Sequence, residues 1–264
     1  PVPPLVAEPR TGLSMGQHCE LMAQDWQIPR EEQDDLAYES HKKAAEAYRS
    51  GYMHDLVVPY AGVFRDNNVR EDIEREKLGE LRTVFEKSER GTLTAANSTP
   101  MTDGAAAVLL ASEDWARQRD LPILAYLTHY KTSANNFVAG EGLLMAPTIA
   151  VSEVLRQADL SLQDFDFYEI HEAFAAQVLA TLKAWNDAEY CARHLGRNAP
   201  LGEIDRSRMN VKGSSIAVGH PFAATGARIA GNMAKLLAEK GSGRGLISIC
   251  TAGGMGVAAI MEAA

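Results

Sequence analysis

A layered α/β fold is predicted for the second half of the chain, and three observations carry that prediction. Short apolar runs at 123–130, 165–170, 210–218, 246–249 and 257–261 read as strands, several of them rich in β-branched residues. Helical segments separate them: Pro147–Ala158 with Ile149, Val154 and Leu155 on one side, an Ala- and Leu-rich stretch from His171 to Leu182, and Arg228–Leu237. No segment repeats with the roughly 20–50-residue period of a solenoid.

The first half reads differently. Residues 1–14 carry Pro and Gly and are expected to be extended. A helix begins at Met15, with Cys19, Met22 and Ala23 at i, i+3, i+4 spacing. Pro29 opens a longer helix, where its missing N–H costs nothing. Leu36, Ala37, Ser40, Ala44, Ala45 and Tyr48 form one face of it, Gly51 serves as its C-cap, and its Glu, Asp, His and Lys face is expected to be solvated. Leu56–Tyr60 is strand-like, and residues 65–90, dense in mixed charge, read as exposed helix or loop. Gly91–Gly104 is a run of small and hydroxylated residues that cannot build a core, so it is a loop, either plain or lining a site. Ala105–Ala111 is a buried-strand candidate. Ser112 caps a helix with Glu113 and Asp114 in its first turn, running to about Arg119, and Ser161–Asp164 has the spacing of another helix start.

A length of 264 residues suffices for one large domain or two ordinary ones. Hydrophobic residues at 46% and charged ones at 23% make a globular composition. The net charge of −9 argues against nucleic-acid binding, which calls for a basic field, but permits a local basic pocket for an anionic ligand. Three cysteines, odd in number and far apart, argue against a disulfide framework and for a reducing compartment. No apolar run approaches the ~20 residues that span a bilayer. The sequence starts Pro-Val-Pro-Pro with no charged-then-apolar signal pattern, and a processed chain or a fragment of something longer is expected.

Chemistry collects at three turns, each expected to follow a strand: His171-Glu-Ala-Phe174, Gly219-His220-Pro221 and Cys250-Thr-Ala-Gly-Gly-Met-Gly256. Strand ends gather at one edge of an α/β sheet, so these residues are expected to meet. Two imidazoles and a thiol supply a proton donor, an oxyanion partner and a base. The glycines at 253, 254 and 256 allow a tight turn and a bare backbone beside the sulfur. Zinc is disfavoured because no CxxC or HxxxH occurs, and no metal is expected. Gly253-Gly-Met-Gly256 lacks the GxGxxG spacing of a dinucleotide site. Cys191, in Tyr190-Cys-Ala-Arg-His194, reads as packing or surface.

The stretches Met15-Gly16 with Glu20, Gly91–Asn97, Asp103–Ala107, His171–Gln177, Asn210-Val through Gly219-His-Pro with Gly226-Ala-Arg228, and Cys250–Gly256 together resemble the thiolases, the 3-ketoacyl-CoA thiolases in particular. They occur in the family's order over essentially the whole chain. His-Glu-Ala-Phe, where many thiolases have Asn-Glu-Ala-Phe, is similar to the β-subunit type of fatty-acid β-oxidation complexes. The resemblance implies a layered αβαβα fold, divided as a loop, CoA-binding region at 1–93, the end of the N-terminal core domain at 94–120, and the C-terminal core domain at 121–264. It implies that Cys250 is the general acid/base, that His220 activates the nucleophile and helps bind the thioester oxygen, and that His171 serves the same oxyanion site. It also places Asn97, Ser98 and Thr99 against the pantetheine arm of CoA, Phe174 on the same tunnel, and Ala252 and Gly253 in a second oxyanion hole.

There are departures. Ala252 stands where the family commonly has Gly, which keeps the backbone N–H, and Thr99 stands at a position usually Ser. The family's nucleophilic cysteine would precede residue 1, and Cys19 sits where the family has Ala. The implied function is thiolytic cleavage of 3-ketoacyl-CoA by CoA, as the C-terminal portion of the enzyme. CoA is then a substrate and no cofactor is expected. The implied partners are the N-terminal thiolase half, a second copy in a homodimer, and a hydratase/dehydrogenase subunit of a β-oxidation complex, in a bacterial cytoplasm or a mitochondrion. The alternative is a non-catalytic acyl-CoA- or lipid-binding, or assembly, module that lacks the nucleophile. A ketoacyl synthase of the same fold fits less well, since those lack a second reactive cysteine.

Overall fold

Ser14 begins the first helix of the computed structural model, which describes residues 7–264. Its hydroxyl accepts the Gln17 N–H and Gln17 Oε1 accepts the Ser14 N–H, a reciprocal cap that satisfies two otherwise orphaned donors. Residues 1–6, expected to be extended, lie outside the described residues; Ala7 bridges Ser14, so the segment between them folds back on itself. The helices and strands that follow are α1 (Met15–Asp25), α2 (Arg30–Arg49), α3 (Arg75–Gly79), α4 (Glu113–Arg117), β1 (Ala125–Ala134), α5 (Ala146–Ala158), β2 (Phe167–Ile170), α6 (Ala175–Asn186), α7 (Ala188–Leu195), α8 (Ser215–Val218), α9 (Ala224–Lys240), β3 (Arg244–Thr251) and β4 (Met255–Ala263).

The strands form one mixed sheet in the order β1-β4-β3-β2, with β2 parallel to β3 and the other two pairings antiparallel. Side chains alternate across it with period two. Ile247, Ala259 and Met261 point to one face, where Ile229, Met233 and Leu237 of α9 cover them. Leu246, Cys250, Ala258 and Ile260 point to the other and join the larger core with residues of α1, α2, α5 and α6. The result is a helix, a sheet and a second layer of helices. Cys250 faces the thicker side.

Gly256 pairs with Cys250 across the β3–β4 ladder. A Cβ at Gly256 would lie 2.4 Å from the Pro147 nitrogen, so only glycine lets the first turn of α5 rest on that rung.

Several expectations need correction. Ala105–Ala111 forms no strand and faces solvent, with Leu109 75% and Leu110 71% exposed. A strand needs a neighbour to satisfy its N–H and C=O groups, and among the described residues no strand lies beside this one. Leu56–Tyr60 forms no strand: Leu56 closes a turn, 57–59 are irregular and Tyr60 bridges only Val63, with Val58 and Tyr60 exposed to solvent. Ser161–Asp164 is also a turn, because Asp164 accepts the Ser161 N–H locally at 2.7 Å and offers the backbone an alternative to a helix.

The run 210–218 is a tight turn followed by α8, not a strand. Asn210 explains why: its Oδ1 accepts the Ile170 N–H and its Nδ2 donates to the Ile170 carbonyl, both at 2.9 Å. One side chain thus closes the edge of β2, and the chain behind it is free to turn. The polar face of α2 is partly internal, since Asp34 and His41 are buried. Asp34 accepts from Arg30 at 2.7 Å, and His41 Nδ1 accepts the Arg70 N–H at 3.2 Å. The helix expected from His171 starts at Ala175, after Phe174 in extended conformation.

Candidate active site

Two carboxylates reach out of α1 and α2 to position the small-residue loop. Glu20 accepts the N–H groups of Thr92 and Leu93 at 2.8 and 3.0 Å and the Thr92 hydroxyl at 2.7 Å. Asp34 accepts Asn97 Nδ2 at 2.9 Å, while Asn97 Oδ1 accepts the Thr94 N–H at 2.7 Å. Leu93 anchors the loop in the main core, and these charge-assisted hydrogen bonds fix the polar remainder.

The loop then runs as a short ribbon between two turns. On one side the Asn97 carbonyl accepts the Ala175 N–H at 2.9 Å and the Thr99 N–H donates to the Ala173 carbonyl at 3.0 Å. On the other, the Pro100 carbonyl accepts the His220 N–H at 3.1 Å. The ribbon therefore ties the His171 turn to the His220 turn. Gly219 must be glycine here: its φ is 94°, and a Cβ would come within 2.5 Å of Thr102.

His171 and His220 meet as a result. Their ring centroids are 4.3 Å apart at an interplanar angle of 50°. The His171 N–H continues the β2–β3 ladder by donating to the Ser248 carbonyl at 2.9 Å, one step beyond the end of β2. Its Nδ1 lies 2.8 Å from Ser215 Oγ, and its Nε2 is buried with no protein partner. His220 Nδ1 lies 2.6 Å from Thr225 Oγ1. Burial holds both rings uncharged: His171 is pushed well below the usual histidine range, with His220 and Arg228 adding to the effect, and His220 is pushed to about 4, with Arg228 adding.

Cys250 lies two residues beyond Ser248 on β3, with its side chain on the same face of the sheet as Ser248. Burial raises its thiol to about 12, so it is protonated at neutral pH. Among the described residues no side chain hydrogen-bonds its Sγ. The structure thus offers two neutral imidazoles in contact, one with an unpartnered Nε2, and a protonated thiol two residues along the strand to which His171 is hydrogen-bonded.

Residues 121–263 match the family model described as thiolase, C-terminal domain, and residues 3–114 match that of the thiolase N-terminal domain. The chain belongs to the thiolase family. It is 46% identical over 268 aligned positions to a 3-ketoacyl-CoA thiolase of Shewanella sp. (strain W3-18-1), and 48% identical to one of Pectobacterium carotovorum. In each case the match covers 99% of this chain and 61% of the relative, so the chain spans about three-fifths of their length. Among solved structures, it superposes on the Bacillus anthracis acetyl-CoA acetyltransferase with a TM-score of 0.83 and 34% identity, covering 98% of this chain and 62% of that one. Human mitochondrial 3-ketoacyl-CoA thiolase in complex with CoA gives a TM-score of 0.82 and 31% identity, covering 98% and 61%.

The remaining site residues of this thiolase chain fall into two groups. Asn97 is fully buried, with its amide hydrogen-bonded to Asp34, Thr92 and Thr94, so it holds the loop. Thr99 Oγ1 is likewise engaged, donating to the Ser215 carbonyl at 2.7 Å. Ser98 Oγ, by contrast, is buried without a protein partner. Phe174 packs edge-on against Phe85 at 5.9 Å between centroids. Ala252 and Gly253 form the exposed tip of the β3–β4 hairpin. His220 follows the short helix α8 and not a strand, which corrects one of the three junctions.

Composition and spacing missed the polar cluster behind the histidines. Glu172 is buried and accepts Ser40 Oγ at 2.6 Å and Asn210 Nδ2 at 2.7 Å. Arg228, on α9, is the cation of this interior, and burial pulls its pKa down while Glu169 and Glu172 raise it. The signal in the sequence was slight: Ser214-Ser215 directly after a glycine, and an arginine inside an otherwise small-residue helix start.

Across the described residues no helix is long and apolar enough to cross a membrane.

Proposed function

We propose that the chain is the C-terminal portion of a 3-ketoacyl-CoA thiolase, cleaving 3-ketoacyl-CoA with CoA to acetyl-CoA and a shortened acyl-CoA. The observation that carries this reading is the His171–His220 pair at 4.3 Å, with His171 hydrogen-bonded to the strand that carries Cys250. In the forward direction a nucleophilic thiolate attacks the 3-keto carbon, and the C2–C3 bond breaks. The electron pair passes to the thioester oxygen of the departing acetyl-CoA, where His171 and His220 are placed to donate. Cys250, held protonated, supplies the proton to C2. Its thiolate then takes the proton of the incoming CoA thiol, which attacks the acyl-enzyme and frees the nucleophile. CoA acts throughout as a substrate, and no cofactor is called upon.

The nucleophilic thiol would come from the rest of the family's N-terminal domain, carried on the same polypeptide or on a companion. The exposed apolar segment Val108–Leu110 supports this, because it is strand-like in sequence and has an unpaired backbone for that domain to meet. A place in fatty-acid β-oxidation, in a reducing bacterial or mitochondrial compartment, and pairing with a second copy or a hydratase/dehydrogenase subunit complete the reading.

The test joins the chain to the N-terminal domain of a relative and follows acetyl-CoA release from a 3-ketoacyl-CoA and CoA. Cys250→Ala is expected to lower the rate by about 10²–10⁴-fold, the usual worth of a proton-transfer group. A rate unchanged by that substitution overturns the assignment.

A further inference from the structure

The buried groups behind His171 have a directional logic that the proposed reaction does not use. Ser215 Oγ has two partners, Arg228 at 2.9 Å and His171 Nδ1 at 2.8 Å. A guanidinium only donates, so Ser215 accepts from Arg228. The serine proton is then left with one acceptor among the described residues, His171 Nδ1. Were Nδ1 to carry a proton instead, Ser215 would accept from both sides, and its own O–H would be buried with nothing to receive it, since the side chain is fully enclosed. An imidazole that accepts at Nδ1 and is neutral must carry its hydrogen on Nε2. That is the atom left without a protein partner.

We propose that Ser215 and Arg228 are positioning residues that lock His171 in the Nε2–H tautomer, making it a fixed hydrogen-bond donor in the active site. The acceptor, a thioester oxygen gaining negative charge, rests on the function proposed above; the tautomer does not. His220 is placed in the same way. Its Nδ1 faces Thr225 Oγ1, which is buried with no other partner among the described residues, so the threonine O–H donates and the imidazole hydrogen falls on Nε2. Both histidines of the pair are then set as donors, and only Ser215 has a cation behind it. A preorganised donor is effective because it need not reorient as charge develops.

The experiment labels the seven histidines of the 264-residue chain with 15N and records a long-range 1H–15N correlation spectrum at pH 7, where ring tautomers give distinct patterns. His171 is assigned by the signal lost in His171→Asn. The expected result is Nε2 protonated and Nδ1 bare in the unmodified chain and in Ser215→Thr, which keeps the hydroxyl. In Ser215→Ala the pattern is expected to shift toward a mixture of tautomers. A protonated Nδ1 in the unmodified chain, or an Nε2–H pattern unchanged in Ser215→Ala, overturns the proposal. In the complete enzyme, Ser215→Ala is expected to lower kcat about tenfold with KM little changed, and Ser215→Thr to restore it. If the tautomer is as assigned and the complete enzyme shows no thiolysis even unmodified, the proposed function fails while this inference stands.

Discussion

The Pro100 carbonyl accepts the N–H of His220 at 3.1 Å, so a loop from the first half of the chain forms one wall of a site whose chemistry lies in the second. The same ribbon holds the His171 turn through Asn97 and Thr99. Its own position depends on Glu20 and Asp34.

Asn97→Ala should therefore act at a distance. It strips Asp34 of one donor and the Thr94 N–H of its acceptor, both buried, and a buried group left unpaired costs about 1–3 kcal/mol. Urea unfolding is expected to show a loss of that size. Thiolysis in the complete enzyme should fall as well, since both histidine turns lose their tether.

Gly256→Ala tests the close approach of α5 to the Cys250 rung. A Cβ 2.4 Å from the Pro147 nitrogen has rigid backbone before it, so the neighbour cannot simply rotate away. Overpacking of this kind costs about 1–3 kcal/mol or more, to be read as a lowered thermal midpoint.

The acid side of the stability curve should be set by histidines. Burial, helped by Arg70 and Arg228 respectively, holds His41 and His220 at about 4, and holds His171 low too. The unfolded chain takes up these protons near pH 6.5 and the native chain refuses them, so stability is lost as pH falls from 6.5 toward 4. Buried Glu169, raised to about 7, and Glu172, also raised, act in the opposite sense, and the three imidazoles outnumber them. Urea midpoints are expected to drop over this range. His41→Gln, which can still accept the Arg70 N–H, should make the slope shallower by up to about 1.4 kcal/mol per pH unit.

All three cysteines are buried, and burial raises Cys19 as well as Cys250. Thiolates are the reactive form, so the native chain at neutral pH should react slowly with a disulfide reagent. Titration in denaturant should release all three thiols. A fast-reacting thiol in the native chain would contradict the burial of Cys250.

Leu109→Lys with Leu110→Glu should leave the stability of the chain within about 0.5 kcal/mol, because neither side chain is packed. Self-association of the 264-residue chain, read by light scattering, is expected to fall, since an open apolar edge is removed.

Residues with local signals were legible in advance. A helix begins at Met15, Pro147 sits at the start of another, and Ile247 and Ile249 alternate with Leu246 and Ser248 on a strand. The family resemblance rested on similar short stretches, and the thiolase models match both halves of the chain. Asn210–Val218 has the composition of a strand, yet a side-chain amide, which leaves no periodicity in the sequence, takes a strand's place at the sheet edge. Ala105–Ala111 carries the apolar pattern of a strand, but a strand forms only beside a partner, and among the described residues it has none.

The order of residues was enough to nominate Cys250, His220 and His171, because a reactive side chain on a glycine-rich turn is a property of neighbours in sequence. Their protonation was not readable there. Whether Cys250 rests as a thiol, and whether His171 carries its hydrogen on Nε2, depend on burial and on Arg228 and Ser215, which only folding brings to the ring. Asn97 likewise acquires a loop-holding partner, Asp34, that its sequence neighbours do not indicate. Hydrogen-bond partners and desolvation are set by what lies next to a group in space, and a linear pattern carries neither.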